Sequence, residues 1–306
     1  MPMGKHNVQP VDPVLTAFMN DYSNLEFVMD KVFPTVKVAV EAGTYYTMTG
    51  KEKWLETHTR RAPGAKFARM NVQPATGNYQ THEEGQEIPI DKRIQKTALD
   101  PFDPFKYAAQ TVKDVILLRR ERLVSAMITN AAVFTNTAAL AGITMWNNAN
   151  SDPIAEVNTR KLTIRNGCGR VPNVMVMPLE VYLALMTNPA IIARLATTNT
   201  QILSESILAQ LFDIPKVLIC RAIYNSAQEG QAVVGTPCMN DSVWLGVVPT
   251  SPSLMEPSAG YLIQSEGFRA ESYYEVQSDS DVVRARINED AEVCSIDTAF
   301  LLTNVV

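Results

Sequence analysis

Apolar residues recur at helical spacing through Val14, Leu15, Phe18, Tyr22, Leu25, Val28, Met29 and Val32. Asp12 is a good N-cap, and Pro13 suits the first helical position, where no backbone N–H is needed. The polar run from Asn20 to Asn24 is a candidate break, and Pro34 ends the segment. Residues 35–40 then alternate as a strand does. Asp103 and Pro104 repeat the cap-plus-proline signal and predict the longest helix, to about Phe134. Val112, Ile116, Leu123, Met127, Ala131 and Phe134 form one stripe of it, yet Leu117 and Leu118 lie well off that stripe and Arg119 falls within it. A helix resting on one core keeps its outer face cleaner, so this one reads as a spine contacted from several sides. The plainer alternative is a surface helix with two exposed leucines.

Beyond residue 150 short helices and apolar strands alternate. Helices are predicted over 156–165, stopped by Gly167, Cys168 and Gly169, then over 178–186, closed by Asn188 and Pro189, and from a Ser204 cap through Phe212. Strands are predicted over 173–177, 216–220 and 242–248. This order implies a mixed α/β unit whose sheet is covered by helices. The last segment is β-rich: residues 272–276 and 281–287 alternate. Residues 300–306 are too apolar for a free tail and read as a strand inside a sheet.

Residues 43–99 fit neither pattern. Short β-prone runs (44–49 and 54–57) are broken at Gly50, Pro63, Gly64, Pro74, Gly77, Gly85 and Pro89. Fifteen charged residues and few large aliphatics leave too little apolar surface for a core of its own. Tyr45, Tyr46, Trp54, Phe67 and Tyr79 are nevertheless costly to leave in water, so this is no linker. A long β-hairpin lying on a neighbouring subunit satisfies both constraints. Lys51, Lys53, Arg60, Arg61, Lys66 and Arg69 make one part basic, against Glu52 and Glu56, and Glu83, Glu84 and Glu87 follow on what reads as the other limb. Such limbs suit electrostatic docking across subunits, with Trp54 as an apolar contact; a solvated charged surface is the alternative.

Composition narrows the function further. A 46% hydrophobic chain of 306 residues can bury a sizeable core, and a net charge of −5 gives no sign of tight nucleic-acid binding. Four scattered cysteines without a CxxC pair, and three histidines, argue against a metal site and for buried reduced thiols. No apolar run reaches the roughly 18 residues that span a bilayer, and the start of the chain lacks the apolar stretch of a signal peptide, so an intracellular product without membrane association is expected. Gly167, Cys168 and Gly169 follow a helix instead of a strand and lack a third glycine, the wrong order for a phosphate loop. His6, His58 and His82 lie far in sequence from every cysteine, so no nucleophile–base pair is legible. No catalytic residue, cofactor or metal is expected.

Taken in order, these pieces resemble the HK97-like major capsid proteins of tailed bacteriophages. The resemblance is carried by Val32, Phe33, Pro34, Thr35 and Val36, by the hairpin, by the long helix, by Val171–Tyr182 with its Pro172 and Pro178, by residues 208–217, 222–225 and 243–246, and by the apolar terminal strand. It implies an α+β fold with an N-terminal arm (1–42), an extended hairpin or E-loop (43–99), a spine helix with a peripheral domain (100–149), a mixed α/β axial domain (150–258) and return strands (259–306). The function it implies is a non-enzymatic subunit of an icosahedral shell, built of pentamers and hexamers, that encloses double-stranded DNA and touches it weakly. It further implies a portal and, in some relatives, decoration proteins. With about forty residues before the hairpin, a separately encoded scaffolding protein or self-assembly is expected. The expected location is the virion capsid, assembled in the host bacterial cytoplasm. Alternatives are an encapsulin-type compartment and a small-molecule α/β enzyme.

Overall fold

The computed structural model describes residues 11–47, 56, 59–70, 74–97, 102–197, 203–254 and 256–306. In chain order they form α1 (Pro13–Asp21), a 3-10 turn (Met29–Lys31), β1 (Thr35–Lys37), β2 (Ala42–Thr47), β3 (Ala75–Gln80), β4 (His82–Asp91), α2 (Lys92–Thr97) and α3 (Pro104–Ile128). Next come β5 (Thr137–Ala139), α4 (Pro153–Cys168), β6 (Val174–Pro178), α5 (Leu179–Thr187), α6 (Pro189–Thr197), α7 (Glu205–Phe212) and β7 (Lys216–Cys220). The chain closes with β8 (Ile223–Asn225), β9 (Gly235–Pro237), β10 (Ser242–Gly246), β11 (Gly260–Glu275), β12 (Ser280–Val293) and β13 (Ala299–Thr303).

Four helices begin with the same device, an Asx side chain capping a proline-led first turn. Asp12, Asp103 and Asp152 each accept from two backbone N–H groups of the turn they open, and Asn188 Oδ1 accepts from Ala190 N at 2.9 Å. The fourth corrects a sequence reading: Asn188 and Pro189 close α5, but they also start α6. At the other end of α4, Gly169 takes the left-handed conformation (φ 71°), so the helix runs on through Gly167 to Cys168. The spine α3 ends at Ile128, short of Phe134, because Asn130 accepts from Ala132 N and turns the chain. Phe134 is still fully buried, beyond the turn. The break expected after Asn20 is present, but Val14 and Leu25 are 74% and 85% exposed and do not belong to the core.

Two sheets carry the architecture. A four-stranded sheet has the order β1-β11-β12-β4, and a five-stranded one has the order β5-β13-β10-β6-β7. The central strands of the second are apolar on both faces. Met175 and Met177 point into a cluster with Ile154, Val157, Ile164, Val181, Leu208 and Phe212 of the covering helices. Val174 and Val176 point the other way, to Val124, Ile128 and Phe134 at the end of the spine and to Val28, Met29, Val32 and Phe33 of the N-terminal segment. β5 and Trp146 already belong to this unit, upstream of residue 150. The spine's first half packs Ala109, Val112 and Ile116 on Val283, Ala285 and Ile287 of the four-stranded sheet.

The spine also grips the N-terminal segment through charge. Beyond Tyr22, whose N–H still donates to Phe18 O at 3.0 Å, the chain up to the 3-10 turn lies outside helix and sheet. Lys113 Nζ donates to the carbonyls of Met19 and Tyr22. Tyr22 OH donates to Asp114 at 2.9 Å. Glu121, 2% exposed, accepts from Val28 N and Met29 N at 3.0 to 3.2 Å. Burial pushes the Glu121 carboxyl up, and the two backbone N–H groups pull it back. Beside it, Arg120 binds Glu289 of β12 in a bidentate pair, both contacts 2.7 Å. Replacing Glu121 by Ala strands two buried N–H groups and should cost about 2–3 kcal/mol of stability. Asp114→Ala, at a half-buried site, should cost under about 1 kcal/mol. Urea denaturation of both variants checks the difference, and equal costs would refute the clasp.

Candidate assembly surfaces

The hairpin formed by β2 and β3 is shorter than the sequence implied and ends at Gln80, ahead of β4. Its root is built from two cross-strand pairs, Gly43 opposite Tyr79 and Tyr45 opposite Gly77. Each tyrosine lies across the glycine of the partner strand: a Cβ on Gly77 would sit 2.4 Å from the Tyr45 ring, and one on Gly43 would sit 3.1 Å from the Tyr79 hydroxyl. The two rings are 6.4 Å apart and bury against Tyr261 and Ile263 of β11. Thr81 N donates to Glu41 O at 2.8 Å, and Asn288 Nδ2 donates to Glu41 Oε1 at 2.9 Å. The sequence flagged these tyrosines as too apolar for a linker, but their alternation with Gly43 and Gly77 was the more telling signal. Tyr46, pointing the other way, is exposed.

Away from the root, Arg60, Arg61, Lys66 and Arg69 are all exposed. The Arg61 guanidinium stacks 4.5 Å from the centre of the Phe67 ring, itself 70% exposed. Lys51, Lys53 and Trp54 lie outside the described residues. Glu83, Glu84 and Glu87 do not sit on the hairpin's opposite limb, as the sequence had suggested. They belong to β4, hydrogen-bonded to β12 in the four-stranded sheet. Glu87 faces Arg284 directly across the strands and accepts from its Nε at 2.9 Å, with Tyr273 OH at 3.0 Å. The Arg284 contact comes first among the causes that hold the Glu87 carboxyl below its ordinary value. Glu84 pairs with Arg119 of the spine at 2.7 Å, and Glu83 lies 3.5 Å from Arg286. Arg286 also meets buried Glu271 of β11 at 3.0 Å. The three acids are therefore engaged within their own chain. The arginines that Glu83 and Glu87 meet on β12, more than 190 residues away in sequence, were not foreseen.

One pair of carboxylates lies on the hairpin side of that sheet. Asp290 is paired with Ile263 and Glu292 with Tyr261, and cross-strand partners share a face, so both carboxylates stand beside the Tyr45 and Tyr79 cluster. Burial first, then the charge and hydrogen bond of Asp290, push the Glu292 carboxyl up to about 7. Elsewhere chemistry is sparse. Among the described residues no group of three or more His, Cys, Asp and Glu side chains could hold a metal ion. No described helix is long and apolar enough to cross a membrane. The four cysteines are unbridged, and burial raises the Cys220 thiol to about 12, far from a reactive thiolate. Cys168 sits at the end of α4, where no strand–loop–helix phosphate cradle exists.

Comparison with known proteins gives this arrangement its context. No family model matches the chain. A major capsid protein of Burkholderia phage BcepMu is 29% identical over 265 residues, covering 84% of each chain. In sequence the chain is thus similar to a phage major capsid protein over most of its length. The crystal structure of a phage-related protein from Bordetella bronchiseptica superposes with a TM-score of 0.81 at 20% identity, covering 97% of this chain and 98% of that one. The capsid structure of Cyanophage P-SCSP1u superposes at 0.59 and 10% identity, over 90% and 88%. These two likenesses establish the coat fold.

The hairpin root should respond to pH through Glu292. Its carboxyl is raised in the folded chain, to about 7 from the ordinary 4.5, so the folded state holds the proton more tightly between those values. Stability therefore falls as pH rises through that window. Glu292→Gln should flatten the dependence. Relative to wild type it should gain on the order of 1 kcal/mol at pH 8 over pH 5, after allowance for partial solvent screening. Thermal midpoints of both proteins at the two pH values give the comparison, and parallel curves would refute it.

Proposed function

We propose that this coat protein is the repeating subunit of an icosahedral phage shell, assembled as pentamers and hexamers around double-stranded DNA. The observation that carries the reading is the contrast within the hairpin. Its root is locked to its own sheet by Tyr45, Tyr79 and Glu41, while its distal part presents four cations and an exposed Phe67 with no ion pair to any described residue. An arm fixed at one end with an unmet charged surface at the other is suited to clasp a neighbour. On this reading residues 1–42 act as the arm, 43–99 hold the hairpin, 100–149 the spine with the peripheral domain, 150–258 the axial domain, and 259–306 return to both sheets.

The role is structural and needs no catalytic residue or cofactor. An acidic chain, at −5 overall, can contain packed DNA without gripping it. A separately encoded scaffolding protein, a portal and possible decoration proteins complete the proposed set of partners, with assembly in the host bacterial cytoplasm and residence in the virion. Lys51, Lys53, Trp54, Arg60, Arg61, Lys66 and Arg69 are proposed contacts between subunits. Glu83, Glu84 and Glu87, engaged internally, are proposed to act there by holding β4 in place.

The test removes the distal hairpin but spares the root. Replacing residues 48–73 by a short Gly/Asn turn keeps the Tyr45 and Tyr79 pairs, whereas a cut extending to residue 80 would unfold them. The variant should melt within a few degrees of wild type and fail to form particles in electron micrographs. Normal shells from this variant would refute the arm, and wild-type chain that stays small in light scattering would refute the shell. Particles filled with protein instead of DNA would favour a cargo compartment.

A further inference from the structure

We infer that the hairpin root is a proton-gated hinge: Asp290 and Glu292 let the hairpin seat on its sheet while they share a proton, and favour its lifting away once that proton is lost. The hinge belongs to the single chain and goes beyond the shell reading, which it neither needs nor tests. Its mechanical half is visible in the topology. β2 and β3 form a sheet of their own and share no ladder with the four-stranded sheet beside them. The chain enters this ribbon through residues 38–41 and leaves it through Thr81 alone. Side chains do the joining: Tyr45 and Tyr79 pack on Tyr261 and Ile263, and Asn288 holds Glu41. The connectors are closed on each other by Thr81 N, which donates to Glu41 O at 2.8 Å. A body held in this way can pivot at its connectors without breaking a strand pair.

The gate is the acid pair beneath the seat. Facing it are Tyr261 and Ile263 from β11, both fully buried, Tyr45 from β2 and Tyr79 from β3. Val36 and Val38 from β1, Leu254, and Cys294 just past β12 complete the cluster. The charged groups further out are engaged elsewhere. Glu41 is bound by Asn288, and Glu256, whose backbone carbonyl takes the Tyr261 hydroxyl, pairs with Arg170 at 2.7 Å. Neither Asp290 nor Glu292 is in an ion pair with a described residue. Two neighbouring carboxylates under aromatic rings, with no cation to meet them, repel each other when both are ionised, and one shared proton relieves the repulsion and the burial together. That is why the Glu292 carboxyl rises to about 7 in the seated state. Lifting the hairpin admits water and returns the pair to ordinary carboxyl behaviour. The seated state is therefore favoured at acid pH, and the lifted one gains as pH climbs through neutrality.

Cys294 is a built-in reporter. It is half-buried in the seat, its thiol 3.8 Å from the Glu292 carbonyl oxygen, and burial pushes that thiol up to about 11. Lifting the hairpin uncovers it, whereas Cys220, buried in the core, is uncovered only by general unfolding. The full-length chain is labelled with a maleimide at about pH 5.5 and pH 8, and each cysteine is read separately by peptide mass mapping. Between these values wild-type Cys294 should accelerate about tenfold more than Cys294 in Glu292→Gln, a ratio that cancels the ionisation of the thiol itself. Cys220 should stay protected throughout. Asp290→Asn keeps the burial but removes the repulsion, and should leave an excess of about threefold. Equal acceleration in wild type and Glu292→Gln would overturn the gate. Labelling of Cys220 in step with Cys294 would overturn the hinge, because the whole chain would then be opening. A full tenfold excess in Asp290→Asn would overturn the pairing of the two acids. Whether particles form has no bearing on any of these readouts, so the hinge and the shell reading fail separately.

Discussion

A buried carboxylate costs several kcal/mol unless its charge is met, and Glu121 meets its own with the backbone of another segment. The N–H groups of Val28 and Met29 have no sheet or helix to enter, and among the described residues no cation pairs with Glu121; each supplies what the other lacks. Lys113 does the converse eight residues earlier on the same helix, serving the carbonyls that α1 leaves open. The path of the chain from residue 28 to the hairpin depends on this clasp. Residues 28–33 become the layer between the spine and the five-stranded sheet. Phe33 then packs so tightly under Gly260 that a Cβ there would lie 2.4 Å from the ring. That contact starts β11, on which β1 pairs in parallel, and from β1 the chain passes into the hairpin. The arm is thus positioned by a hydrogen-bonded carboxylate buried well away from it.

The same molecule treats charge in two ways. In the four-stranded sheet it is matched internally: Arg284 stands between Glu87 and Glu271 on the flanking strands, and Arg120 and Glu289 join the spine to β12. On the distal hairpin it is left unmatched. Exposed pairs of the first kind add little stability individually, but they reinforce the register that the buried face of the sheet sets through Val283, Ala285 and Ile287. A sequence count of charges does not separate the two, because both segments carry glutamates and arginines.

That limit explains what could be read in advance. The Asp–Pro signals at Asp12 and Asp103 identified two helix starts outright, since capping and proline both act over a single turn. The run 216–220, apolar from Val217 onward, matched β7 to the residue, because a strand buried in a sheet needs near-continuous hydrophobicity. The hairpin was visible through what it lacked, a core of its own. By contrast, residues 82–91 show no apolar alternation: most of β4 is exposed, and its partners come from the far end of the chain. It was therefore merged with the hairpin. Glu121 and Lys113 looked like the outer face of an amphipathic helix, because nothing local announces that a distant backbone needs a carboxylate or an ammonium group. Asn188–Pro189 was legible by the same rule as Asp12–Pro13, but its use as a stop masked its use as a start.

β4 also illustrates why a shell subunit would carry its charges where it does. It is a ten-residue strand at the edge of the four-stranded sheet, and a free edge of that length invites pairing with any exposed strand. Pro89 removes one donor from it, and Glu83, Glu84 and Glu87 place three carboxylates along it, turned to arginines of its own chain. An edge so occupied resists unplanned strand addition. Copies of the chain at high local concentration are then left with contacts that depend on side-chain complementarity, which depends on geometry and salt and can be corrected before it becomes permanent. A backbone ladder would be stronger and far less selective. On the proposed shell reading, the exposed cations on the hairpin and the engaged carboxylates on β4 are two halves of one design: the first would provide attraction between copies, and the second would keep the sheet edge from competing with it.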